Sequence, residues 1–156
     1  MIAYGSNACP AQLAHKYDST DQSNVVPMSR AWIDAMAIGY SDHLTTYGAV
    51  PANAFAEPGV QTEVFVAWLD IDQLSRLDGT EGHNYRRQLL DLDVHQLRVI
   101  DGPLLDCADI YFSTRGLFTV DGVTPGMAGV QTTYAAGPLL TQLEVRQLRD
   151  RNSVNP

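Results

Sequence analysis

The sequence carries few charges, and their balance is lopsided. Only 18% of its 156 residues are charged, the formal net charge is −8, and its largest basic cluster is Arg86-Arg87. Such a balance repels phosphate backbones and offers no footprint for nucleic acid or an anionic membrane surface. Nine of the ten basic residues are arginine, a skew that nothing in the sequence explains. Cysteine is almost absent. Cys9 and Cys107 are too few for a disulfide framework, have no Cys or His at metal-ligand spacing, and read as free thiols of a reducing compartment, with a single bridge between them left open. No apolar run approaches the ~20 residues of a membrane-spanning helix. No basic-then-apolar stretch opens the chain, so no signal peptide is expected and the cytoplasm is the default location.

What is present is a globular composition. Apolar residues make up 45%, enough for a sizeable core at this length without staples, so residues 1–150 read as one domain and 151–156 as a fraying tail. A short apolar run over 1–4 meets a turn at Gly5-Ser6-Asn7, and Pro10 stands at the first position of a two-turn helix reaching Tyr17. After a polar loop at 18–24, residues 25–40 read as strand, carried by Trp32, Ala35, Met36, Ile38 and Tyr40, with Pro27 at an edge or bulge near its start. His43 reads as a surface or loop histidine. A short strand over 50–55 is closed by the turn signal Glu57-Pro58-Gly59. The strongest strand spans 60–69. Val64, Val66 and Trp68 fall on one face and Phe65, Ala67 and Leu69 on the other, which predicts a central strand buried on both. Asp70 or Asp72 caps the next helix, whose Ile71, Leu74 and Leu77 share a side and which is expected to stop at Asp78-Gly79.

Residues 85–99 alternate, with Leu90, Leu92 and Val94 against Asp91, Asp93 and His95, as a strand with one wet face does. Asp101-Gly102-Pro103 breaks it. A strand over 107–113 follows, then a Gly- and Pro-rich loop or partial hairpin over 116–129. A closing helix, begun by Gly137-Pro138 and marked by Leu139, Leu140, Leu143 and Leu148, runs to about Asp150.

Most chemical signatures are missing. There is no Walker loop, no Gly-x-Gly-x-x-Gly after a strand, no His-Glu-x-x-His and no Gly-x-Ser-x-Gly elbow. The four histidines show no ligand spacing, so no metal is expected, and no motif asks for a cofactor. Ser6 has no histidine or lysine indicated as its base, and Cys9, near a helix start where thiolate is favoured, reads first as a small buried or half-buried thiol. Two features remain. Leu77-Asp78-Gly79-Thr80-Glu81-Gly82-His83-Asn84-Tyr85-Arg86-Arg87 sets one carboxylate, Glu81, between a helix and a strand; taken locally it is an acid in a surface turn. Tyr4-Gly5-Ser6-Asn7 joins strand to helix through small residues, and its N–H groups can gather round a carboxylate or oxyanion. A base and an anion cradle suit a substrate with a proton to move and a carboxylate to hold.

These two stretches, in this order, resemble the paired signatures of the gamma-glutamylcyclotransferase-like family. Ala108-Asp109-Ile110-Tyr111 is similar to that family's late strand, and Gly137-Pro138-Leu139 with the helix after it is similar to its end. After Asn7, Ala8-Cys9-Pro10 departs from the family's leucine-rich continuation. The resemblance implies an α+β fold: a small mixed β-barrel or strongly curled sheet with flanking helices and a pocket at its mouth. It implies an enzyme that cyclises a gamma-glutamyl group, the α-amine attacking the γ-carbonyl to release 5-oxoproline and an amine or amino acid.

In that reading Glu81 shuttles the proton, and the backbone N–H groups of Gly5, Ser6 and Asn7 hold the α-carboxylate. Tyr4, Tyr85 and Tyr111 are hydrogen-bonding pocket walls, and each is equally an ordinary half-buried tyrosine. Arg86 or Arg87 would support the glutamate or steer a carboxylate, against a plainer role in solvated ion pairs. The leaving-group side is expected from loops at 41–58 and 114–130. The expected partner is a small gamma-glutamyl compound, with no nucleic acid, membrane, metal or cofactor; oligomeric state is not legible. The alternatives are a non-catalytic small-molecule binding module of the same fold and cleavage of another γ-amide.

Overall fold

Two long segments with alternating apolar side chains set the frame. In the computed structural model, which describes residues 1–17, 25–133 and 137–154 (residues 152–154 in backbone only), β2 (Met28–Tyr40) and β3 (Ala52–Ala67) pair antiparallel along nearly their whole length. On β3 the side chains of Val60, Thr62, Val64 and Val66 are buried while Gln61, Glu63 and Phe65 are half-buried. The expectation of a strand sealed on both faces is therefore met on one. Trp68 lies beyond the strand and is 38% exposed.

The predicted turn at Glu57-Pro58-Gly59 is instead an excursion inside β3. Asp34 pairs with Gln61 and Met36 with Ala56, so residues 57–60 face Ala35 alone. Ala35 takes a positive φ of 54° to make this bulge, and Pro58, which has no N–H for a ladder, falls where the ladder is interrupted. Ion pairing and hydrogen bonding staple the irregularity: Arg98 grips both oxygens of Asp34 at 2.8 Å, Gln61 donates to one of them at 3.0 Å, and the Thr62 hydroxyl donates to the Met36 carbonyl at 2.7 Å.

Shorter strands attach to this ribbon. β1 (Ile2–Ala3) adds to the outer edge of β3, and β5 (Leu97–Val99) and β7 (Gly126–Met127) both add to β2, with β8 (Leu139–Leu140) parallel to β7. β4 (Tyr85–Leu89) and β6 (Asp109–Ser113) form a second, two-stranded sheet. The main sheet is mixed, and its end strands β1 and β8 do not pair with each other among the described residues. The architecture is α+β, and the barrel form of the expectation is not closed.

Two further expectations change here. Residues 85–99 are not one strand: the chain leaves β4, turns through 91–95, and joins the other sheet as β5. The alternation ends at the turn: Leu90 points into the core and Leu92 packs against it, Val94 is 57% exposed, and the next buried residue, Leu97, falls on the opposite parity. Leu139 and Leu140 belong to β8, so the last helix, α3, spans Gln142–Val154. It starts after Thr141 and continues past Asp150, through residues expected to fray. The polar stretch at 18–24 and the last two residues lie outside the described residues.

One apolar cluster joins Ile2, Ile33, Met36, Val64, Val66 and Ile110 beneath both sheets. A second, of Tyr40, Val50, Phe118 and Val145, seats α3. The Gln142 side chain locks that seat by hydrogen-bonding both the N–H and the carbonyl of Val50, at 2.8 and 2.7 Å.

Thr62 is fully buried, and Thr62→Val keeps its shape while removing the donor to Met36. Loss of a partner for a buried acceptor predicts a destabilisation of about 1–3 kcal/mol, read as a lower denaturant midpoint at unchanged m-value.

Candidate active site

Helix α2 (Ile71–Glu81) delivers the carboxylate. Its start is fixed by a capping box in which Asp70 accepts from the Gln73 N–H at 2.8 Å and the Gln73 side chain accepts from the Asp70 N–H at 3.1 Å. Gln73 and Leu77 are buried. Ile71, expected on the same apolar side, is 76% exposed. The helix also passes through Gly79 and ends only at Gly82, whose φ of 58° a side-chain-bearing residue resists. The expectation of a stop at Asp78-Gly79 is thus corrected. Glu81 is the last residue of a helix rather than part of a turn, and its backbone is held by the helix ladder.

The other half comes from the N-terminus. After β1, residues Gly5–Ala8 form a single 3-10 turn, and α1 (Pro10–Tyr17) begins with proline at its first position. Gly5 is required twice over. Its φ is 57°, and a Cβ there would sit 2.7 Å from the Ala52 Cβ of β3. The Asn7 N–H, expected to face a ligand, already donates to the Tyr4 carbonyl at 3.2 Å. Gly5 and Ser6 head the turn, where a helix leaves its amides without intrahelical partners.

The two halves meet at side chains. Asn7 Nδ2 donates to Glu81 Oε1 at 3.0 Å, Lys16 Nζ donates to the same oxygen at 2.8 Å, and Lys16 Nζ also donates to Asn7 Oδ1 at 2.7 Å. The Lys16 and Glu81 side chains are only 17% and 11% exposed. Both hydrogen bonds that the Glu81 side chain accepts among the described residues go to Oε1. No buried side-chain oxygen lacks a partner among those residues, so Oε2, which accepts no such bond, is not fully buried. One oxygen is held and the other is available. Glu81 and Lys16 lie in the last turns of α2 and α1, and the partial negative charge of both helix ends favours a cation between them.

Three tyrosines stand round this carboxylate with their protons committed. Tyr4 donates to the Tyr111 carbonyl, Tyr85 to the Ala52 carbonyl at 2.6 Å, and Tyr111 to Asp78 Oδ1 at 2.5 Å. Burial pushes all three phenols above their ordinary range. Tyr85 adds to the effect on Tyr4, Glu81 adds to that on Tyr85, and the bond to Asp78 adds to that on Tyr111. They stay neutral at physiological pH and present oxygen lone pairs as acceptors. Asp78 remains a carboxylate: burial raises its pKa, and the hydrogen bonds from Arg87 and Tyr111 outweigh that rise and leave it below the usual range.

The three tyrosines, Asn7, Lys16 and Glu81 line a cavity of about 680 Å³, within the size range of small-molecule sites. All seven residues expected at the site, Tyr4, Gly5, Ser6, Asn7, Glu81, Tyr85 and Tyr111, are on its wall. Arg86 and Arg87 are not. Arg87 instead bridges Asp78 and Asp109, the solvated role. Of the two loops expected on the far side, 41–52 contributes a whole wall, whereas 114–130 contributes only Met127. Cys9 and Cys107 are both exposed free thiols, so Cys9 is not the buried or half-buried thiol expected.

Two polar wall residues to which the sequence assigned no role stand out. His43 bonds through Nδ1 to the buried Ser41 hydroxyl at 2.7 Å and stands edge-on to Tyr85, 6.2 Å between centroids. Burial, then Arg115 and Arg149, lowers its pKa and keeps it neutral. Lys16 is the other. Its signal was in plain view as the one lysine among ten basic residues, but its partner is far away in sequence.

The sequence matches no protein-family model and no curated protein. Among solved structures it is similar to one described as a gamma-glutamyl cyclotransferase, with a TM-score of 0.58 and 17% sequence identity over 73% of this chain and 65% of that one. The chain thus spans a little under two thirds of that neighbour's length. At this identity the likeness is one of fold, and function has to be argued from the site.

Gly5→Ala places a side chain in left-handed backbone and against Ala52. The left-handed φ alone predicts a loss of about 1–2 kcal/mol, and the 2.7 Å approach to Ala52 adds to it. Chemical denaturation measures the sum.

Proposed function

We propose that the cavity binds a γ-glutamyl compound and cyclises it, releasing 5-oxoproline and an amine or amino acid. The observation that carries this is the carboxylate with one oxygen pinned by Asn7 and Lys16 and the other open. Around it stand phenols that accept hydrogen bonds but have no free proton to give. Such a wall suits a primary ammonium, which brings only donors.

The α-ammonium is no nucleophile until a base takes a proton, and Oε2 of Glu81 is the base within reach. The freed amine attacks the γ-carbonyl carbon, closing a five-membered ring and forming a tetrahedral oxyanion. The C–N bond to the leaving group then breaks. In all, the α-nitrogen loses two protons and the leaving nitrogen gains two, so one carboxylate acting first as base and then as acid balances the reaction. Because attack is intramolecular, holding the substrate bent replaces a collision between two molecules. The Gly5 and Ser6 amides take the oxyanion or the α-carboxylate. The supporting facts are the meeting of Asn7 with Glu81 and the fold likeness to a cyclotransferase.

The test is a panel of γ-glutamyl amines, γ-glutamyl amino acids and glutathione, with 5-oxoproline measured directly. Glu81→Gln keeps the shape and removes the base, and should lower kcat by about 10²–10⁴-fold on any panel member turned over. Full activity in that variant would sink the mechanism. Binding without turnover across the panel would make the protein a binding module.

A further inference from the structure

The charge pattern of the cavity wall is the feature that this chemistry leaves unused. Among the described residues lining it, Glu81 and Lys16 are the only Asp, Glu, Lys or Arg, one of each sign. Lys16 is also the only lysine in the chain. The plain reading of the pair is a tether between α1 and α2. That tether exists without it: Arg76 Nε donates to the Lys16 carbonyl at 2.6 Å, and the Tyr17 hydroxyl donates to the Gln73 carbonyl at 3.0 Å. A half-buried ammonium that the helix packing does not need calls for another use.

We propose that Lys16 is the ionic anchor for the substrate's α-carboxylate, so that the site selects α-amino acid zwitterions bearing a γ-amide. The proposal rests on the cyclisation reading for the identity of the γ-amide, but not for the recognition of the zwitterion. Nζ sits 2.8 Å from Oε1. A substrate ammonium received by Oε2 of the same carboxylate has its own α-carboxylate one carbon away, which brings that group beside Nζ. Four charges then alternate round a ring: lysine ammonium, glutamate, substrate ammonium, substrate carboxylate. Each protein group keeps capacity for this. Oε2 has no partner, and of the three N–H donors of Lys16 two are used, on Asn7 and Glu81. No charge is left unpaired before or after binding, since the resident ion pair opens to the ligand without having to break.

Calorimetry of the full chain with two synthetic probes tests this. One is the γ-sulfonamide isostere of a γ-glutamyl amide, which cannot cyclise; the other is the same molecule without its α-carboxylate. The wild type should prefer the carboxylate-bearing probe by about 10–100-fold, the worth of a charge-assisted hydrogen bond. Lys16→Met should bring the two affinities together by weakening the carboxylate-bearing probe without weakening the decarboxylated one, and Lys16→Arg should restore part of the preference. Equal weakening of both probes in Lys16→Met would mean a structural tether and overturn the proposal, as would an undiminished preference or a wild type that binds neither probe. Turnover is read separately. A wild type that shows the preference but forms no 5-oxoproline from any γ-glutamyl compound removes the cyclisation reading and leaves the anchor. Turnover with equal weakening does the reverse.

Discussion

One antiparallel pairing, β2 with β3, holds the other parts of the molecule in place. β1 hangs on one side of it and β5 and β7 on the other. Register in such a ribbon is set by which residues face the core, because a slip of one would turn every buried side chain outward. The ribbon also fixes where the cavity can form. Ala52, at the start of β3, receives the Tyr85 hydroxyl on its carbonyl and presses its methyl toward Gly5. Asn53 beside it is buried and ties the ribbon to the second sheet, accepting from the Ser113 N–H at 2.9 Å and donating to the Gly116 carbonyl at 3.3 Å. A strand end thus sets the distance between the N-terminal turn and the tyrosines.

On that frame, the site is built by helix ends. α2 is capped at Asp70 and stopped at Gly82, so its length decides where Glu81 lies. α1 is started by Pro10 and brings Lys16 to the same point. Neither side chain is placed by a flexible loop, which fits a group that has to present one chosen oxygen. The loop at 41–49 is different in kind: it carries His43 and the exposed Tyr47 on the opposite wall. In the proposed cyclisation that division would put recognition of the constant γ-glutamyl part on helices and of the leaving group on a loop, a common arrangement where specificity has to change while chemistry stays.

Much of this was legible in the sequence, for identifiable reasons. Proline at a first helical position, an Asp that caps, and a run of valines in alternation are local signals, and α1, the start of α2 and the core face of β3 follow from them. The two short stretches around Asn7 and Glu81 were correctly paired, although the bond between them uses the Asn7 side chain and not its N–H. The misreadings share a cause. Gly79 looked like the helix stop because a glycine ends more helices than it interrupts, yet Gly82 stood three residues on with the same credentials. Residues 85–99 looked like one strand because side-chain alternation does not record a change of sheet. Leu139 and Leu140 looked helical because their partner, β7, is a two-residue strand set in a Gly- and Pro-rich stretch. Lys16 and His43 were missed because a single polar residue on a short helix or loop has no pattern of its own, and only the tertiary fold gives it neighbours.

Among its described residues the cavity wall carries one positive and one negative side chain, on a molecule whose formal net charge is −8. At a distance the field is that of the whole chain, and it repels anions. Near the wall the two local charges nearly cancel, and their joint field decays faster than that of either alone. A ligand with no net charge feels little of the long-range field and is oriented only in the last few ångströms. Its capture should therefore run at a rate almost indifferent to added salt, whereas a ligand carrying extra carboxylates should enter faster as salt screens the chain.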